Sequence, residues 1–97
     1  MDKRALGFIE LPNLCDAIEA LDVMLKTAAV SLVTWEKKLG GRLVTIIVSG
    51  EVSAVEAAVE GAKSLASGKI KSSLVIAAPH SETLRIAQIS AKKWGIK

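Results

Sequence analysis

Two hydrophobic periods take turns along this chain, and together they predict four strands and three helices. Ala5-Leu6-Gly7-Phe8-Ile9 is a short apolar run that reads as a strand, and Leu11-Pro12-Asn13 breaks it. Asn13 is a candidate helix N-cap, with Asp16 three residues on and Pro12 suited to a helix start. Leu14, Ala17, Ile18, Leu21, Met24 and Leu25 then recur at helical spacing, while Asp16, Glu19, Asp22 and Lys26 fall on other faces. That pattern predicts an amphipathic helix of about four turns. Val30 to Glu36 is a β-branched, partly alternating strand, and Leu43 to Val48 is a second one of nearly pure β-branched composition. The Lys37-Lys38-Leu39-Gly40-Gly41-Arg42 segment between them carries a Gly-Gly pair and predicts an antiparallel hairpin.

The second half repeats the alternation. Glu51 to Ala66 is helical, with Val52, Val55, Val59, Ala62 and Ala66 on one face, Glu51 and Lys63 matched to the helix dipole, and Gly68 as the stop. Ile70 to Ala77 reads as a fourth strand, Pro79 breaks it, and Ser81 is expected to cap a last helix from Glu82 to about Ser90. The basic stretch Ala91 to Lys97 is expected to be a loosely held tail. The order β-α-β-β-α-β plus a terminal helix predicts an α/β (α+β) chain of ferredoxin-like architecture, with two helices on one face of a four-stranded sheet. One domain is expected over residues 4–90, followed by the tail 91–97.

Composition sharpens this picture in one respect. Hydrophobic residues make up 51% of the 97 residues, an excess of Ala, Val, Ile and Leu with almost no aromatics. No uncharged stretch approaches the roughly 18 residues that a membrane span needs. An aliphatic excess without a span points to surface buried against other copies of the chain. The net charge of +3 is mild, and the stacking aromatics of RNA-binding sheets are missing, so neither nucleic acid nor membrane is an expected partner. No secretory leader pattern follows Met1-Asp2-Lys3-Arg4, and the single Cys15 fits a reducing cytosol without a disulfide framework.

Candidate chemistry is sparse. His80 is the only histidine, and it lacks the nucleophile or orienting partner that a catalytic base requires, so a loop residue making local hydrogen bonds is the better reading. Cys15 lies near a helix start, where a thiol pKa can fall, but an inert packing role suits it better. One His and one Cys far apart do not make a metal site. Gly61 to Lys69 has the wrong spacing for a phosphate loop, and Ile70 stands where a magnesium-binding Ser or Thr belongs. No enzyme activity, metal or cofactor is expected. For a monomer, the Lys37–Arg42 turn is a solvated hairpin tip, its glycines supplying positive φ.

Several segments change the weight of that turn. Ala5-Leu6-Gly7-Phe8-Ile9-Glu10, Ala17 to Lys26, Glu36-Lys37 with the glycine turn, Leu43 to Val52, Ala54-Val55, Ala57-Ala58 and Pro79-His80 stand in one order and spacing. In that arrangement, from about residue 4 to 89, the chain resembles the hexamer-forming shell proteins of bacterial microcompartments, the BMC domain family. The resemblance implies a flat cyclic homohexamer that tiles edge to edge into a shell in the cytoplasm. Its implied partners are other shell proteins, encapsulated enzymes and small metabolites. It implies that Lys38, Leu39, Gly40 and Gly41 line a pore on the symmetry axis with Arg42 at its base. A ring of cationic side chains and backbone amides there favours polar or anionic metabolites. Lys26 is implied at the tile edge, with Ala29 and the Ala78-Pro79-His80 segment.

The chain also departs from the family pattern. The pore turn is one residue longer than the common version. Ala78 stands where an arginine often precedes the Pro-His pair, and Ala29 or its neighbour replaces a frequent asparagine. Those changes leave flat, curved, helical and mixed assemblies open. Some relatives hold an iron–sulfur cluster on a pore cysteine; this turn has none, so no cluster is expected. The competing expectation is an oligomeric regulatory module of the same fold that binds a small ligand. It would saturate with ligand per subunit and stay a discrete oligomer.

Overall fold

The computed structural model describes residues 5–38, 40, 42–65 and 69–93. The elements run β1 (Ala5–Leu11), α1 (Leu14–Thr27), β2 (Val30–Lys38), β3 (Leu43–Gly50), α2 (Val52–Leu65), β4 (Ser72–Ile76) and α3 (Ser81–Lys93). The strands form one antiparallel sheet in the order β2-β3-β1-β4, as the ferredoxin-like expectation requires.

Local chemistry explains the α1 boundary. The Asn13 side-chain oxygen accepts from the Asp16 backbone N–H at 2.8 Å, and Asn13 Nδ2 donates back to the Asp16 carboxylate at 3.0 Å. The expected cap is thus formed, with a reciprocal side-chain bond that fixes the first turn.

Because successive strand residues point to opposite faces, the sheet has two unlike sides. Ile9, Leu11, Val44, Ile46 and Val48 point toward α1 and α2 and pack with Ala17, Ala20, Met24, Val55, Ala58, Val59 and Ala62 in one buried cluster. α2 lies so close to β1 that a Cβ on Gly7 would stand 2.7 Å from Val55 Cγ1, so only glycine fits there. Leu6, Phe8, Glu10, Thr45 and Ile47 point the other way, toward α3.

Several expectations shift. β2 runs on through Lys37 and Lys38, expected in the turn, because they still pair with Val44 and Leu43, and β3 runs on to Gly50. β1 runs on to Leu11, because Glu10 and Leu11 still pair with Thr45 and Val44. β4 begins at Ser72 and ends at Ile76, inside the expected Ile70–Ala77; Ile70 leaves the strand and packs against the core instead. α3 starts at Ser81 and continues to Lys93, so Ala91, Lys92 and Lys93 are helical, and Ala91 is buried. The α3 cap is His80, whose Nδ1 accepts from the Glu82 N–H at 3.0 Å while its carbonyl accepts from Leu84 N–H. Ser81 therefore lies inside the helix. The expected stop at Gly68 and the residues beyond Lys93 lie outside the described residues.

A β-bulge in β2 is the least visible local feature. Leu32 pairs with Val48 and Thr34 with Ile47, leaving Val33 as the extra residue. The bulge reverses the strand's alternation. Leu32 and then Trp35 pack on the core side, while Thr34 and Glu36 are turned toward α3.

Candidate functional site

The residues singled out for function gather at two opposite ends of the sheet. At one end, β2 and β3 close their pairing at Lys38 and Leu43. The described part of the turn beyond them is exposed: Lys38, Gly40 and Arg42 all face solvent. Gly40 has φ 66°, the left-handed conformation expected of a turn glycine, with open space where a Cβ would be. Leu39 and Gly41 lie outside the described residues. The base of the hairpin is stiffened from both faces. Lys37 Nζ lies 5.8 Å from the centre of the Trp35 ring on the core side, a cation–π distance.

The other face of the hairpin base carries a polar cluster that sequence reading missed. Ser90 Oγ donates a hydrogen bond to the Glu36 carboxylate, and Lys93 Nζ bonds the same carboxylate at 3.0 Å. Thr34 is fully buried, and its hydroxyl lies 2.7 Å from Ser90 Oγ. Since Ser90 gives its proton to Glu36, Thr34 is the donor to Ser90. This chain of bonds ties the last two turns of α3 to the strand that leads into the hairpin. Its only trace in sequence is two spacings, Thr34 with Glu36 on a strand and Ser90 with Lys93 on a helix.

A row of directly paired residues crosses the sheet near this end: Glu36, Thr45, Glu10 and Ser72. Thr45 and Ser72 hydroxyls donate to the Glu10 carboxylate at 3.3 and 2.9 Å. Glu10 is thus held by neutral donors, a cross-strand arrangement that ties β4 and β3 to β1.

The inferred edge residues gather at the far end. Val30 pairs with Gly50, Gly50 with Ala5, and Leu6 with Ile76. Ala29, just before Val30, and Ala78-Pro79-His80, just after Ile76, therefore flank the same end of the sheet. α1 runs back from the hairpin end and delivers Lys26 there. Lys26 is 75% exposed and bonds Asp22 at 2.8 Å. That hydrogen bond, with the charge of Asp22, holds the Lys26 ammonium above the ordinary lysine value, so it is a cation throughout the neutral range. His80 is exposed and spends Nδ1 on the α3 cap.

Cys15 is exposed on the outer side of α1. Among the described residues no three His, Cys, Asp or Glu side chains approach closely enough to hold a metal, and no helix is long and apolar enough to cross a membrane.

Comparison with known proteins follows the same geometry. A family model described as the BMC domain matches residues 5–79. The bacterial microcompartment shell protein PduA of Salmonella typhimurium is 44% identical over 88 residues, covering 89% of this chain and 93% of its own length. The carboxysome shell protein CcmK2 of Synechococcus elongatus is 45% identical over 80 residues, 78% of each chain. The shell protein EutM of Salmonella typhimurium is 41% identical over 90 residues, covering 91% of this chain and 93% of its own. A crystal structure of a microcompartment protein from Desulfitobacterium hafniense superposes with a TM-score of 0.80 at 25% identity. It covers 92% of this chain, which spans about half of that longer chain.

Proposed function

This chain belongs to the BMC domain family of bacterial microcompartment shell proteins, and we propose that it forms cyclic hexamers that tile into such a shell around a central pore. Its role is structural. The observation that carries the finer reading is the separation of the hairpin tip from the Lys26, Ala29 and Ala78–His80 end by the full length of the strands. A subunit with its strands laid radially puts the tip at a symmetry axis and the other end at a rim. Six copies then bring Lys38, Leu39, Gly40, Gly41 and Arg42 to the axis, where repeated positive charge and backbone amides favour polar or anionic metabolites. Lys26 is suited to an edge contact because its long stem is exposed and its charge is held by Asp22. The partners on this reading are further copies, other shell proteins at the rim and the enzymes enclosed.

Negative-stain microscopy across a salt series, with mass measured in parallel, tests the proposal. Six-fold particles that grow into sheets, strips or tubes are expected. Lys26→Asp is expected to keep the six-fold particle and stop its growth. A monomer at micromolar concentration, or growth unaltered by Lys26→Asp, would count against the ring or the edge respectively.

A further inference from the structure

The hairpin that carries Lys38 to Arg42 is braced within the sheet on one side only. β2 is an edge strand, so β3 is its single strand neighbour. Their pairing ends at Lys38 and Leu43. Ladder hydrogen bonds lie in the plane of the sheet, so they resist a swing of the edge strand out of that plane poorly. Restraint against such a swing comes from the two faces. On the core face, Trp35 packs on the buried cluster, and Lys37 lies by its ring. On the other face, Ser90 and Lys93 of α3 both bond the Glu36 carboxylate, and the Thr34 hydroxyl bonds Ser90. This clasp closes two pairs short of the turn, where an edge strand is most prone to fray.

α3 has little else to fix its place on this face. Its buried residues are Ala87 and Ala91, whose side chains are too short to key into the sheet. Beside them, Ile86 is 62% exposed, and a half-open hollow of about 350 Å³ floored by Phe8 and Ile47 lies between helix and sheet. Small side chains over a part-empty floor permit small slides of the helix. Hydrogen bonds do not, because they demand a fixed distance and direction. The polar bonds at its last two turns therefore set where α3 sits, and they end on the strand that enters the hairpin.

Glu36 and Lys38 rise from the same face of β2, and two strand residues span only about 7 Å, so a shift of one carries the other. We propose that Glu36, clasped by Ser90 and Lys93, is the positioning residue of the pore turn, with α3 as its anchor. The clasp fixes the height at which Lys38 to Arg42 stand above the sheet. The inference rests on the pore proposed above and adds what sets its geometry. Symmetry amplifies the effect, because a radial shift of one tip is matched by that of the tip opposite.

The test uses the full chain. A nitroxide on Lys38→Cys in a Cys15→Ser background reports mobility at the tip, and hydrogen exchange is followed on the unlabelled chain. Glu36→Lys sets two cations together and breaks the clasp, while adding Lys93→Glu restores an opposite pair in exchanged places. In Glu36→Lys the label is expected to become more mobile, and amides of Lys37, Leu43 and Val44 to exchange about tenfold faster, the worth of one hydrogen bond to a charged group. Both changes should reverse in the double variant. Lys93→Ala, at an exposed position, gives the same reading should Glu36→Lys fail to fold. Faster exchange confined to α3, with label and hairpin unchanged, would overturn the proposal, since the clasp would then hold only the helix. Loosening that the exchanged pair does not reverse would overturn it too. Dipolar distances between labels in the assembled particle check the pore separately. Labels too far apart to face one axis would sink the pore and leave the hold of Glu36 on the hairpin to be read from mobility and exchange alone.

Discussion

The two faces of the sheet are built to different standards. On one, Ile9, Leu11, Val44, Ile46 and Val48 meet two helices whose contact residues are mostly Ala and Val, and almost no solvent reaches them. On the other, a single helix is held by Ala87, Ala91 and a chain of polar bonds, and it stands over a hollow. Small side chains let α2 approach β1 until only Gly7 fits between them. No such closeness exists beneath α3. The closed face carries the stability of the single subunit. The open face holds surface that another copy can bury, which is how a small domain gains area it cannot bury alone.

The largest expected effect separates the two faces directly. Ile9→Ala should cost about 2–5 kcal/mol of unfolding free energy, because the closed face cannot collapse around the lost atoms. Phe8→Ala, one residue along, should cost about 1–2 kcal/mol, because its ring already borders a void and solvent. Urea unfolding measures both, on protein dilute enough to be monomeric, since association adds apparent stability. Equal losses would break the comparison.

Next comes the polar tie. Ser90→Ala leaves the buried Thr34 hydroxyl with only its long, 3.5 Å bond to the Trp35 carbonyl and should cost about 1–2 kcal/mol. Adding Thr34→Val removes that hydroxyl, so the double variant should lose less than the two singles combined. Strict additivity would mean that the tie does not act as a unit. Hydrogen exchange should show the loss in α3 amides first, with α1 and α2 protection changed less.

Asn13→Ala is expected to cost about 1 kcal/mol, the usual worth of a cap. A much larger loss would mean that α1 depends on its first turn more than on its packing. The smallest effect concerns the rim. Asp22→Asn should move the Lys26 titration down toward the ordinary lysine value, followed by side-chain NMR. The sign follows from the raised value in the folded chain: any contribution from this pair is complete at neutral pH and is lost only as pH rises through the Lys26 titration. The pair is exposed, so thermal stability near neutral pH should be the same in both proteins.

Much of this was legible in the chain. Period-two and period-3.6 patterning located each element, and Asn13 and the turn glycine at Gly40 behave as their local chemistry dictates. The expectation of a tail from Ala91 fails at Lys93 because a helix end rich in Lys looks solvated, whereas Lys93 bonds Glu36, far away in sequence. For His80 the sequence supplies no partner for base chemistry and no sign of a cap. The cap that His80 provides for α3 depends on the backbone direction after Pro79, which no spacing rule supplies.

What the sequence determined by itself is therefore the order of elements, the closed core and the family, because periodicity and composition act locally and sum along the chain. What tertiary structure alone decided is the direction in which β2 presents Thr34 and Glu36. The bulge at Val33 reverses its alternation, and a register shift is set by pairing with β3 and not by any residue in β2. From that reversal follow the tie to α3, the hollow beneath it and the difference between the two faces.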